Sequence, residues 1–335
     1  MKTRLIIFLA CCLLPLGGCE DSNKALPDAV RAELVKDLEF GMFICWSFST
    51  FSGVEWTGEP HEPSFFRATK CNTDQWAKTA KDAGMNYILF LTKHHDGFCL
   101  WNTKTTELKV TNAPLERDVL KDLKKSCDKY GIKLALYFSE GDWNWPEAQR
   151  GKGMKGGINP EVKKAQLKEL LQDYGTIEFI WFDAAVGDGG LSHKETVEWV
   201  HQFQPNTFCG FNDLEAAGRL SLRERGSPGP LGGDGLTWVE TAGKNEKEYT
   251  GYLAAEFTYP LLPEHKGGAQ WFYSLPVHDT LCAPAEKIFA DYLGALKYRN
   301  IFSLNIGPDY QGNIREIDVS TLQKVGQMIQ DHQAK

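Results

Sequence analysis

A chain of 335 residues, 42% hydrophobic and 24% charged, has the composition of a soluble globular protein and length for one barrel-sized domain or two ordinary ones. Its formal net charge of −7 gives no basis for binding nucleic acid. The 10 Trp, 11 Tyr and 19 Phe suit a well-packed core or a sugar-stacking surface equally.

The first residues read as a targeting segment. Lys2 and Arg4 precede the apolar run from Leu5 to Ala10, too short to span a bilayer as a stable helix. The run leads to Leu16-Gly17-Gly18-Cys19, which resembles a bacterial lipobox. The expectation is cleavage before Cys19 and lipidation of that residue, with an ordinary secretory signal as the alternative. Residues 1–18 are then the signal peptide, 19–36 a tether and lead-in, and 37–335 one folded domain. Six cysteines remain beyond Cys19: Cys45, Cys71, Cys99, Cys127, Cys209 and Cys282. No C-x-x-C spacing links them, which argues against a zinc ribbon or a redox motif.

Along that domain, strand-like and helix-like runs alternate. A strand is predicted over 40–46, then a helix over 76–83 capped by Asp74 or Thr73 and closed by Gly84. A strand over 85–92 follows, with a helix over 118–130 that sets Val119, Leu120, Leu123 and Cys127 on one face. Next come a strand over 132–138, a helix over 161–174 behind Pro160, a strand over 177–182, a helix over 192–203 and a strand over 207–211. The pattern blurs from 212 to 266, where a sixth strand is due at Leu220-Ser221-Leu222. It resumes with 269–274, a helix over 285–298, a strand over 301–306 and a helix over 319–332. Repeated strand–helix units predict a (β/α)8 barrel of the α/β class, irregular where a helix is missing from the second half. A doubly wound open sheet is the alternative, but no G-x-G-x-x-G turn follows the first strand.

In such a barrel the carboxyl ends of the strands share one pocket. The ends carry Cys45, Trp46 and Ser47; His94, His95 and Asp96; Tyr137, Ser139, Glu140 and Asp142; Asp183; Asn212 and Asp213; and Asn305. The block Lys93-His94-His95-Asp96-Gly97-Phe98 directly follows a fully apolar strand, which points to a ligand site. A zinc site or a pair of satisfied structural histidines is the alternative. Asp183 closes the run Ile180-Trp181-Phe182, where a carboxylate is costly unless held by hydrogen bonds or used in chemistry. An acidic, aromatic mouth, with Trp56, Trp143, Trp181 and Trp271 nearby, suits a carbohydrate. No H-x-H pair or tight carboxylate cluster supports a metal site.

These motifs in this order resemble the α-L-fucosidase family of retaining glycoside hydrolases: the run from Phe40 to Trp46, Glu55-Trp56, the block from Lys93 to Phe98, Tyr137-Phe138-Ser139, Trp181-Phe182-Asp183, and Asn305-Ile306-Gly307-Pro308. The resemblance spans roughly 40–332. It implies a (β/α)8-like catalytic barrel, often followed by a β-sandwich for which this chain is too short. It implies Asp183 as nucleophile, His94 and His95 as binders of sugar hydroxyls, and Glu55, Trp56, Tyr137 and Trp181 as further pocket residues. The stretch 218–226 looks like the family strand that carries the acid/base, which points to Glu224; Glu240 and Glu256 are the alternatives. No cofactor is implied. The expected partner is a fucosylated oligosaccharide or polysaccharide, with the membrane reached only through the lipid anchor of a bacterial cell envelope. One departure stands out. The family usually has F-x-H-W-G in its first strand, whereas this chain has Ile44-Cys45-Trp46-Ser47, and a thiol is a far weaker hydrogen-bonding group than an imidazole. An α-L-galactosidase, another α-L-glycosidase of this fold, or a non-catalytic sugar-binding lipoprotein are therefore the alternatives.

Overall fold

The apolar runs read from the sequence lie side by side as parallel strands and close on themselves. A computed structural model describes residues 25–150, 155–184, 189–212, 220–229, 253–273 and 275–335. The strands are β1 (Phe40–Ile44), β2 (Tyr87–Lys93), β3 (Lys133–Ser139), β4 (Phe179–Asp183), β5 (Phe208–Phe211), β6 (Leu220–Glu224), β7 (Ala254–Pro260) and β8 (Ile301–Ile306). Each pairs with the next, and β8 returns to β1 with Phe40 opposite Phe302, which excludes an open doubly wound sheet. Every residue of β1, β2 and β8 is buried, because side chains face either the barrel interior or the surrounding helices.

The helices are α1 (Asp28–Lys36), α2 (Phe48–Ser52), α3 (Thr73–Asp82), α4 (Val119–Tyr130), α5 (Pro160–Asp173), α6 (His193–Phe203), α7 (Ala285–Tyr298) and α8 (Glu316–Gln333). Local chemistry fixes their ends. The cap of α3 is Asn72, whose side chain accepts the Gln75 N–H at 3.2 Å, and not the predicted Asp74 or Thr73. Asp74 instead accepts from Lys129 and Tyr130 of α4, at 2.6 and 2.9 Å. Asp118 caps α4 and Gly131 ends it in the left-handed region, while Ser192 and Glu195 form a reciprocal capping box on α6. The lead-in also holds structure: α1 buries Ala32 and Val35, and Arg31 donates to the Pro205 carbonyl at 2.7 Å just before β5. It thus lies against the amino-terminal end of the barrel.

One expectation needs correction. The strand expected over 269–274 is not found at 269–273; β7 is Ala254–Pro260, inside the stretch where the sequence looked blurred. The run hides because Glu256 and Thr258 interrupt it, yet both are fully buried. Glu256 accepts from the Trp181 indole at 3.2 Å, and a polar layer in the barrel interior also joins the Tyr87 hydroxyl to Ser303 at 2.6 Å. Among the described residues no helix links β5 to β6 or β6 to β7; Asp213 and Glu240 lie outside the described residues.

Two buried ion pairs fasten the loop after β3 to the helical layer. Lys93 meets Asp142 at 3.0 Å and Gln166 of α5 at 3.1 Å, with its ammonium 4.0 Å from the centre of the Trp145 ring. Lys163 of α5 pairs with Glu140, both fully buried, and donates to Thr196 of α6 at 2.8 Å. Removing one member of such a pair strands the other charge in a dry interior. Lys163→Met is expected to destabilise the protein by about 3–5 kcal/mol, read as a fall in the urea midpoint; an unchanged midpoint would show the pair to be dispensable.

Candidate active site

The carboxyl ends of the strands surround a cleft of about 590 Å3, open mouth included. Phe43 and Cys45 enter from the end of β1, Leu91, His94 and His95 from β2, Tyr137 from β3, Trp181 and Asp183 from β4, and Glu224 from β6; loops contribute Glu55, Trp56, Trp271 and Phe272. Every residue to which the family resemblance gives a role therefore lines one cleft, whereas several other strand-end residues do not. Of the block after β2, only the two histidines do. Lys93 and Asp142 turn into the helical layer, as does Glu140, and Asp96 folds back to accept the Phe98 N–H at 2.8 Å. Trp46 also points away, packing on Phe66 and Trp76 and donating to the Asp309 carbonyl at 2.9 Å. Asn305 donates to the Phe43 carbonyl at 3.2 Å and supports β1 from behind.

Asp183 is the most heavily bonded group in the cleft. It sits in register with Ser139, and the chain leaves β4 through Ala184 at a φ of 53°. Its Oδ1 accepts from the Asn212 amide and, at 2.7 Å, from the Ala184 N–H. Its Oδ2 accepts from the Tyr137 hydroxyl and lies 3.5 Å from His95 Nε2. Burial and the Asp183 charge push the Tyr137 phenol well above its ordinary pKa, so it remains a donor. The Tyr137 ring stacks on Trp181, with centroids 5.5 Å apart. Burial lowers the pKa of both histidines, and His94 Nδ1 is buried without a hydrogen-bond partner.

Glu224 faces Asp183 across Asn212, whose amide nitrogen lies 3.5 Å from Glu224 Oε1 while also donating to Asp183. That shared contact places the two carboxyls side by side across one amide group. Enclosure by the cleft, then repulsion from Asp183, push the Glu224 carboxyl up to about 7, although its outer edge keeps contact with solvent. Arg225 does not take the opposite strand face that alternation predicts. The strand ends at Glu224, Arg225 has a φ of 51°, and its guanidinium lies 5.8 Å from the Trp271 ring centre. Its charge draws the Glu224 pKa down, but by less than Asp183 raises it. Glu256 lies deeper, bonded to Trp181, and does not line the cleft.

Opposite, Ser49 holds the loop bearing Glu55 by donating to the Glu55 carbonyl at 2.8 Å. The Glu55 carboxylate accepts the N–H groups of Gln270 and Trp271, at 2.6 and 3.3 Å, and burial raises its pKa. The Cys45 thiol is buried and held protonated by burial and by the charges of Glu55 and Asp183. His94, His95 and Asp183 bring potential metal ligands within 4.8 Å of one another. Donor hydrogens already point at both Asp183 oxygens, however, and a cation would have to displace them. Sequence reasoning missed Phe43, Leu91 and Phe272. The first two are ordinary apolar strand residues, and Phe272 lies on a loop with no periodicity.

The sequence profile of the alpha-L-fucosidase family matches residues 60–334, and the chain belongs to that family. It is 29% identical over 303 residues to alpha-L-fucosidase 1 of Arabidopsis thaliana, covering 86% of this chain and 57% of that protein. The chain thus spans only about half the length of the curated relatives it matches. Among solved structures, alpha-L-fucosidase isoenzyme 1 from Paenibacillus thiaminolyticus superposes with a TM-score of 0.72 at 23% identity, over 91% of this chain and 76% of that one. The alpha-L-fucosidase AlfC from Lactobacillus casei, in complex with alpha-L-fucose product, superposes with a TM-score of 0.68 at 19% identity, over 91% and 99%. These likenesses establish the shared fold.

The carboxyl pair makes an electrostatic prediction independent of turnover. Below about pH 7 Glu224 carries its proton, and above it the group ionises. Carboxyl NMR is expected to show that midpoint in the wild type and a lower one in Asp183→Asn, where the neighbouring negative charge is gone. A midpoint unmoved by Asp183→Asn would mean that the two groups do not interact.

Proposed function

We propose that the protein is an exo-acting retaining α-L-fucosidase that removes terminal α-L-fucosyl residues from glycans by double displacement. The observation that supports this most is the facing pair itself: a many-donor carboxylate, Asp183, beside a carboxyl with a raised pKa, Glu224, in a cleft lined by indoles and imidazoles. Asp183 attacks the anomeric carbon while Glu224 gives its proton to the leaving oxygen. Glu224 then deprotonates the water that releases the sugar from Asp183. Near neutrality Glu224 is available in both forms. Tyr137, Asn212 and the Ala184 N–H hold the Asp183 carboxylate in place, and His94 Nδ1 is free to meet a sugar hydroxyl. No step requires a metal or an organic cofactor.

Cys45 supports a second reading, an α-L-galactosidase or other α-L-glycosidase of the same fold. A protonated thiol gives a sugar hydroxyl a weak partner on the β1 side of the cleft. A panel of aryl α-L-glycosides decides between them by the order of kcat/KM. Binding without hydrolysis across the whole panel would instead favour a sugar-binding protein. Covalent chemistry has its own test. Asp183→Asn is expected to lower turnover by several orders of magnitude, and a mechanism-based fluorosugar to label the Asp183 peptide in the wild type. Label on another carboxylate overturns the assignment.

The protein is further proposed to be lipid-anchored in a bacterial envelope through Cys19, with residues 1–18 removed; the lipobox-like sequence supports this, and residues 1–24 lie outside the described ones. Cys19→Ser is expected to move the protein out of the membrane fraction, since stable anchoring needs more than one acyl chain. Mass spectrometry that finds an unmodified Cys19 in the mature protein would refute the anchor.

A further inference from the structure

Ser139 has no part in the chemistry proposed above, yet it is fully buried and stands opposite Asp183 in the β3–β4 register. Its Oγ accepts the Gly141 N–H at 3.1 Å, which uses one lone pair and leaves the hydroxyl proton to be donated elsewhere. The polar atom facing it is His95 Nδ1, at 2.6 Å. The opposite ring nitrogen, Nε2, faces Asp183 Oδ2 at 3.5 Å. A neutral imidazole carries one proton, and its place is set by the partner of the other nitrogen. The surroundings hold the ring still. Trp143 N–H donates to the His95 carbonyl at 2.8 Å, and Glu140 N–H donates to the Asp183 carbonyl at 2.8 Å. The Glu140–Lys163 and Asp142–Lys93 pairs fix the intervening loop from behind.

We propose that Ser139 is a positioning residue that donates to His95 Nδ1 and so locks His95 in the tautomer whose Nε2–H points at Asp183. In the other tautomer the Nε2 lone pair would face a carboxylate oxygen, and the two would repel. The inference rests on the double-displacement reading for its kinetic consequence, though not for the tautomer itself. In the first half-reaction the Nε2–H draws charge from Asp183 and slightly weakens it as a nucleophile. In the second, water attacks the anomeric carbon, its proton passes to Glu224, and the bond from the carbon to the Asp183 oxygen breaks with its electron pair on that oxygen. The Nε2–H stabilises the returning carboxylate at that moment, and His95 keeps its proton throughout. Ser139 thus acts selectively on release of the sugar from the enzyme.

The tautomer is read from 15N shifts of histidine-labelled protein, with His95 assigned by its loss in His95→Gln. The wild type is expected to show a protonated Nε2 and a bare Nδ1; a protonated Nδ1 overturns the proposal. In Ser139→Ala the bare-Nδ1 signature should weaken, and Ser139→Thr, which keeps the hydroxyl, should restore it. With an activated aryl glycoside, Ser139→Ala is expected to lower kcat about 10–100-fold, the range for one hydrogen bond to a charged group. KM should fall with it, so that kcat/KM changes little, because the covalent intermediate accumulates. A fall in kcat/KM alongside a wild-type tautomer would reduce Ser139 to a packing residue and overturn the proposal. If Ser139→Ala fails to fold, the wild-type spectrum decides alone. If the protein turns over no α-L-glycoside, the fucosidase reading fails while the spectrum still judges the tautomer.

Discussion

A carboxylate at the end of an apolar strand is tolerable only if the protein replaces the water it has lost. Asp183 meets that condition through donors from three places in the chain, Tyr137 on β3, Ala184 just past β4 and Asn212 after β5, with His95 Nε2 of the segment after β2 3.5 Å away. Tyr137 and Asn212 reach it from the strands that flank β4, and a shifted register would move them away. The pairing of Ser139 with Asp183 therefore shapes the site as well as the fold. The same crowding shapes Glu224. Burial first, and then the nearby Asp183 charge, make the second carboxyl reluctant to ionise. Among the described residues, Asp183 has several donors, whereas Glu224 has one long contact from Asn212.

Much of this was legible from residues alone, and the boundary of legibility has a physical cause. Strands covered on both faces read as unbroken apolar runs, so β2, β4 and β8 stand out, as does any polar group that ends them. Asp183 and the two histidines were visible for that reason. β7 was not, because Glu256 and Thr258 face a polar layer inside the barrel and break the run. The side of the sheet that a strand-end residue takes was equally hidden. Lys93, Glu140 and Asp142 look like pocket residues in sequence but turn outward, where Lys163 and Gln166 of α5 await them. Helix caps show the same limit at smaller scale: Asn72 and Asp74 are both competent, and Asp74 is taken by Lys129 and Tyr130 of the next helix.

The family resemblance and the physical reading support each other at different points. The resemblance names roles for Asp183 and Glu224. The geometry adds the residues behind them, such as Ser139 and the loop after β3 that Lys163 of α5 and Lys93 of β2 hold through two buried pairs. Cys45 is where the two diverge. Its thiol occupies a cleft position that the family usually gives to an imidazole, and burial among negative charges keeps it neutral. The cleft accordingly offers its guest one fewer strong polar partner on the β1 side.

The Glu55 carboxylate carries a consequence for redesign. It accepts main-chain N–H groups from Gln270 and Trp271, more than two hundred residues away along the chain, so one wall of the cleft is tied by a side chain to the backbone of the other. A loop transplanted from a relative would keep that stitch whatever its side chains, provided its peptide groups trace the same path. One inserted residue would break it even with every aromatic retained. For exchange of this wall between homologues, loop length is therefore the stricter constraint, and sequence the looser one.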